Sequence, residues 1–117
     1  MPNVLVIVDD REDVRNSFAR YFRRHFDQVR TASTPAEAEV ELSNFPPPTH
    51  LVCDYWLGDA QPVGSVLIAK WKALYPTLQR AALVSGSELQ EIACPQGVDA
   101  VFSKPADLVA MRKMLLL

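Results

Sequence analysis

VLVIVDD at residues 4–10 joins five consecutive aliphatic side chains to two adjacent aspartates. Five apolar residues without polar alternation suit a strand buried on both faces, as in a parallel sheet, and are too few for a helix. Asp9 and Asp10 therefore stand where that strand ends. Beyond them, Val14, Phe18, Tyr21, Phe22 and Phe26 recur mostly every three or four residues, with arginines between. This spacing predicts an amphipathic helix from Glu12 to Phe26. Arg20, Arg23, Arg24 and Arg30 are expected to form its solvated face.

The strand-then-helix pattern repeats along the chain. A brief strand at Gln28 to Ala32 precedes Ser33, Thr34 and Pro35, where a capping hydroxyl and a first-turn proline open a second helix through Asn44. Pro46 to Pro48 stop that helix and lead into the apolar run His50 to Cys53, which terminates in Asp54. After a loop containing Gly58 and Gly64, Val66, Leu67, Ile68, Trp71 and Leu74 predict a third helix, halted at Pro76. Arg80 to Val84 reads as a fourth strand ending in Ser85 and Gly86. A weak fourth helix at Glu88 to Ala93 breaks at Pro95 and Gly97. Ala100 to Phe102 is a short fifth strand, and Asp107 to Leu117 a fifth and final helix. The expected fold is α/β: a doubly wound, five-stranded parallel sheet of flavodoxin-like topology in three α/β/α layers. With 117 residues and no linker, repeat or low-complexity tract, one domain spanning 1–117 is expected, without an effector domain.

A composition of 49% hydrophobic and 22% charged residues predicts a packed core. A formal net charge of −2 offers no basic footprint for nucleic acid, so direct DNA binding is not expected. Cys53 and Cys94 fit no metal-ligand or redox spacing and are expected to be buried free thiols. Without an apolar run of membrane-spanning length or a secretory leader, a cytoplasmic protein is expected. His25 and His50 lie apart from the acidic residues and are given no chemistry.

In an open parallel sheet, ligands bind beyond the carboxyl ends of the strands. Those ends carry Asp9 and Asp10, Asp54, Ser85 and Lys104. Three converging carboxylates repel one another unless a hard divalent cation sits among them, and Mg²⁺ is the natural candidate. A hydroxyl and an ammonium nearby supply a hydrogen-bond donor and a positive charge for phosphoryl oxygens. Taken singly, each residue also has a plainer use: helix capping for Asp9 and Asp10, an ordinary loop carboxylate for Asp54, a turn at Ser85, a solvated loop lysine at Lys104.

VLVIVDD (4–10), LVCDYWLGD (51–59), ALVSGS (82–87) and VFSKP (101–105), in this order and spacing, resemble the receiver domain of bacterial two-component response regulators over nearly the whole chain. The resemblance implies that Asp54 accepts a phosphoryl group from the phosphohistidine of a sensor histidine kinase or phosphotransfer protein. It implies that Asp9, Asp10, Asp54 and the backbone carbonyl of Trp56 hold Mg²⁺, and that Ser85 and Lys104 contact the phosphoryl oxygens. Phe102 occupies the position of the aromatic residue that rotates on activation. The fourth helix, fifth strand and fifth helix would form the output face and a surface for a homodimer. Such a domain is a switch, with self-catalysed phosphotransfer and dephosphorylation rather than turnover.

Several residues depart from the family pattern. Leu57, Gly58 and Asp59 replace the usual Met or Leu then Pro after the phosphoacceptor, which predicts a more mobile loop. Trp56 and Ser87 line the approach of hydrolytic water, and the bulky indole predicts slow autodephosphorylation. Arg11 is placed to pair with a carboxylate or to meet the phosphoryl group. Leu115, Leu116 and Leu117 form an apolar end, expected of either an excised domain or an apolar contact with something next to it. Two other functions suit the same chain: a pseudo-receiver that docks or dimerises without phosphorylation, and, more remotely, a Mg²⁺-dependent phosphatase.

Overall fold

A computed structural model describes residues 2–86 and 97–117. The helix expected at Glu88 to Ala93, together with Ser87, Cys94 and Pro95, lies outside the described residues. Strands β1 (Val4–Val8), β2 (Gln28–Ala32), β3 (His50–Asp54), β4 (Arg80–Ser85) and β5 (Ala100–Ser103) alternate with helices α1 (Glu12–Phe22), α2 (Pro35–Ser43), α3 (Gly64–Leu74) and α4 (Leu108–Leu115). The five strands form one parallel sheet in the order β2-β1-β3-β4-β5. This is the doubly wound, flavodoxin-like arrangement that the sequence predicts.

Strand alternation divides the core into two layers. Val6, Val8, Leu51, Cys53, Ala81 and Leu83 point to one face of the sheet, where Leu42 of α2 and Leu67, Ile68 and Trp71 of α3 cover them. Leu5, Ile7, Val52, Ala82 and Val84 point to the other, beneath Phe18 and Phe22 of α1 and Met111 and Leu115 of α4. Every residue of β1 and β3 is buried, because helices cover both faces of the central strands.

Local chemistry sets the helix starts. Thr34 caps α2 by accepting a hydrogen bond from the Glu37 amide at 3.1 Å, and Glu37 reaches back to the Ser33 amide and hydroxyl. Asp107 caps α4 through the Ala110 amide. Helix α1 is shorter than its apolar spacing predicts, ending at Phe22 instead of Phe26. Phe26 nevertheless remains buried, edge-on to Phe22, so the apolar period outlasts the helix while the chain turns into β2. Arg30 is not on the helix face expected for it. It lies in β2, and its guanidinium donates to the carbonyls of Glu41 and Pro46.

Candidate functional site

The register carries the polar residues to one edge of the sheet. Val8 pairs with Cys53, Asp54 with Val84, and Ser85 with Ser103, so Asp9, Asp54, Ser85 and Lys104 follow or end neighbouring strands. The Lys104 amide donates to the Ser85 carbonyl at 2.8 Å, which ties the start of the β5–α4 connection to the end of β4. Asp9 is buried at 2% exposure and Asp54 at 6%, whereas Asp10 is exposed.

A carboxylate oxygen from each of Asp9, Asp10 and Asp54 lies within 4.8 Å of the others. Lys104 Nζ spans two of them, at 3.2 Å from Asp9 Oδ2 and 3.3 Å from Asp54 Oδ2. Asp9 is held from several sides: its Oδ1 accepts from the Arg11 amide at 2.9 Å, and its backbone carbonyl accepts from the Arg15 guanidinium at 2.9 Å.

Burial and the neighbouring Asp9 charge push the Asp54 carboxyl up to about 6; Lys104 pulls it back only in part, and Asp10 raises it further. For Lys104, burial disfavours the ammonium, but the Asp9 and Asp54 carboxylates outweigh that and raise its pKa. One ammonium against three carboxylates leaves the cluster short of positive charge. Clustered hard oxygen donors with that deficit fit a small divalent cation. An open cleft of about 270 Å³ above the cluster is lined by Asp10, Arg11, Asp54, Trp56, Gly86 and Lys104.

Asp9, Asp10, Asp54 and Lys104 are thus brought together, with Trp56 at the same cleft, while Ser85 and Phe102 have other surroundings. Ser85 is buried at the end of β4. The Trp56 indole is 49% exposed at the cleft. Phe102, partly buried, packs against the core layer beneath α1 and α4. Arg11 pairs with Asp13 at 3.2 Å, one of the two alternatives the sequence offered. In the loop after Asp54, Leu57 is buried in the core beneath α2 and α3 and anchors that segment.

Gly64 and Arg15 were not legible as site residues. A Cβ on Gly64 would lie 2.3 Å from the Asp54 carbonyl oxygen and 2.9 Å from Leu83 Cδ1, and the Gly64 amide donates to the Tyr55 carbonyl at 2.7 Å. The start of α3 thus abuts the backbone of the central carboxylate. A glycine in the loop just before the third predicted helix was the available signal. For Arg15, six residues beyond Asp9, the sequence offered no signal that separates it from the other arginines of α1.

No protein-family model and no curated protein matches the sequence. Solved structures do match. The N-terminal signal receiver domain of a two-component system response regulator from Bacteroides fragilis superposes with a TM-score of 0.83 at 22% identity, covering 99% of this chain and 95% of that one. A putative response regulator from Chloroflexus aurantiacus gives 0.76 at 24% identity, with both chains covered in full. A response regulator protein from Burkholderia pseudomallei, solved with a phosphorylated aspartic acid, a calcium ion and citrate, gives 0.77 at 26% identity, covering 97% of this chain and 66% of that one. With its 2-1-3-4-5 parallel sheet and the polar cluster at the sheet's carboxyl edge, the chain has the fold of a response-regulator receiver domain.

Proposed function

We propose that this chain is a phospho-switch in which Asp54 accepts a phosphoryl group from the phosphohistidine of a sensor histidine kinase or phosphotransfer protein. The observation that carries the proposal is the position of Lys104 Nζ, within 3.3 Å of both Asp9 and Asp54, beside three carboxylates within 4.8 Å of one another. Lys104 stands where it can meet a phosphoryl oxygen once Asp54 is modified.

Asp54 attacks phosphorus as the carboxylate, so one of its oxygens forms the new P–O bond while the P–N bond to the donor imidazole breaks. The imidazole keeps the electron pair of that bond and takes a proton. Such transfers depend on positioning and charge neutralisation more than on covalent chemistry by the protein. Asp9 and Asp10, with Asp54 and the Trp56 carbonyl, would hold Mg²⁺, which supplies charge neutralisation for the phosphoryl oxygens when bound. Lys104 and Ser85 would bind those oxygens from the protein side. The negative charge gained at Asp54 gives Ser85 reason to draw inward and Phe102 room to rotate, altering the β5 and α4 surface. Water then hydrolyses the acyl phosphate, with the Trp56 indole partly screening its approach.

The role is that of a switch and not of a turnover enzyme, and the proposed setting is the cytoplasm. Among the described residues no helix is long and apolar enough to cross a membrane. We read residues 1–117 as one receiver unit.

Incubation with Mg²⁺ and acetyl phosphate followed by intact-mass analysis tests the proposal. The expected result is a single-phosphate adduct on the wild type, lost without Mg²⁺ and lost in Asp54→Asn. Folded wild-type protein that stays unmodified with several donors would replace this reading with a docking module that works without phosphorylation.

A further inference from the structure

Both carboxylate oxygens of Asp9, its amide and its carbonyl all have partners. Oδ1 accepts from the Arg11 amide at 2.9 Å, and Oδ2 from the Lys104 ammonium at 3.2 Å. The amide donates to the Ala32 carbonyl at 3.1 Å, and the carbonyl accepts from Arg15 Nη1 at 2.9 Å. This last bond has a consequence for the next residue, because the carbonyl belongs to the peptide that joins Asp9 to Asp10. A peptide unit is planar, so holding its oxygen also fixes the Asp10 amide and the direction in which the Asp10 side chain leaves the backbone. Asp9 is buried and held by packing as well, whereas Asp10 is exposed and depends on its backbone for direction.

The helix itself gives no reason for a cation at Arg15. Helix α1 starts at Glu12 without a side-chain cap, and its N-terminal end is positive, which favours acids and disfavours a guanidinium in the first turn. Glu12 and Asp13 already fill the favourable role. Helical side chains lean toward the N-terminus, which lets the half-buried Arg15 reach back to Asp9. On its other side, the Ser33 hydroxyl and amide hold the Glu37 carboxyl below its ordinary 4.5, and against the opposing effect of burial the Arg15 charge lowers it further. Arg15 thus stands between the acidic edge of the sheet and the start of α2.

We propose that Arg15 is a positioning residue for the divalent-cation site: by holding the Asp9 carbonyl it sets the angle at which the Asp9 and Asp10 carboxylates meet one ion. The role rests on the reading of Asp9, Asp10 and Asp54 as a Mg²⁺ site. Groups that orient metal ligands are worth about 10- to 100-fold in metal affinity. Charge acts in the opposite direction, since removing a cation beside a metal site tightens it. The sign of the change therefore separates orientation from electrostatics.

Mn²⁺ titrations of the metal-free full chain, read by loss of the free-ion paramagnetic resonance signal and repeated with competing Mg²⁺, test the proposal. Arg15→Met, which keeps the apolar stem and loses the donors, is expected to bind Mn²⁺ about tenfold more weakly than wild type. Arg15→Lys, which keeps the charge and a donor for the carbonyl, is expected to recover most of that loss. Melting temperatures of the metal-free proteins accompany the titrations, because a purely structural role would lower them and leave the affinity of the folded protein unchanged. Affinity in Arg15→Met equal to or tighter than wild type, or Arg15→Lys as weak as Arg15→Met, overturns the proposal. Asp10→Asn serves as the reference: wild-type protein that binds no better than this variant removes the metal site itself, and the role of Arg15 with it.

Discussion

In metal-free protein the Asp54 carboxyl, pushed up to about 6 by burial and by Asp9, binds its proton more tightly than an exposed aspartate near 3.8. The folded state is therefore favoured while Asp54 is protonated, and stability is lost as pH rises from about 4 to about 6. Above that window the buried charge costs at most about 3 kcal/mol, less whatever solvent screening at the open cleft removes. Asp54→Asn is accordingly expected to stabilise the metal-free protein at pH 7.5 by about 1–2 kcal/mol, while leaving it no more stable than wild type at pH 4. Urea melts of the two proteins at both pH values measure this, and an equal difference at the two would show that charge is not the cause. Gly64 makes a steric prediction at the same scale. Its missing Cβ is all that separates α3 from the Asp54 carbonyl, and backbone cannot yield as a flexible side chain can. Gly64→Ala is expected to cost about 2 kcal/mol, with weaker Mg²⁺ binding because Asp54 is displaced. Chemical denaturation and a Mg²⁺ titration of the variant provide the check.

Among the elements, α4 is tied to the sheet at a place remote from the cleft. His50, at the start of β3, is buried beside Phe26; its Nδ1 lies 2.7 Å from the Thr49 hydroxyl, and the ring hydrogen-bonds to the Leu115 backbone at the end of α4. Thr49 Oγ1 in turn accepts from the Val4 amide at 2.8 Å. Burial holds the His50 pKa below its ordinary 6.5, opposed by the Leu115 bond and aided by Arg80. The unfolded chain thus binds a proton that the folded one resists, so this contribution to stability is complete above pH 6.5 and is lost as pH falls below it. This is opposite in sign to Asp54. His50→Gln should lower stability at pH 7.5 by about 1–2 kcal/mol and flatten the acid-side decline, as read from melting temperatures at pH 7.5 and 5.5.

For the molecule as a whole, the acidic edge makes stability a function of divalent cation. A ligand that binds only the folded state stabilises it by about 1.4 kcal/mol at ten times its dissociation constant, or roughly 5 °C in melting temperature for a chain of this size. Mg²⁺ is expected to raise the melting temperature of the wild type by that amount. Asp10→Asn should abolish most of the shift while folding normally, because Asp10 is exposed and removing its charge costs little structure. Differential scanning calorimetry with and without Mg²⁺ separates the cases, and an equal shift in the variant would remove Asp10 from the metal site.

Among the described residues, sequence alone determined the strand and helix order, because helices cover both faces of the central strands and leave the unbroken apolar runs at 4–8 and 51–53. It also determined the polar residues at the sheet's carboxyl edge: in a parallel sheet every strand ends on the same side, so Asp9, Asp54, Ser85 and Lys104 had to converge once the strands were recognised. Tertiary structure decided what no local pattern encodes. The end of α1 at Phe22 depends on where the chain can turn while Phe26 still fills the core. The contact of Gly64 with Asp54 depends on how closely α3 approaches the sheet, and the engagement of Arg30 with the α2–β3 loop depends on carbonyls distant in sequence. Charge and periodicity are properties of neighbours along the chain, whereas steric clearance and long-range hydrogen bonds exist only between segments that folding brings together.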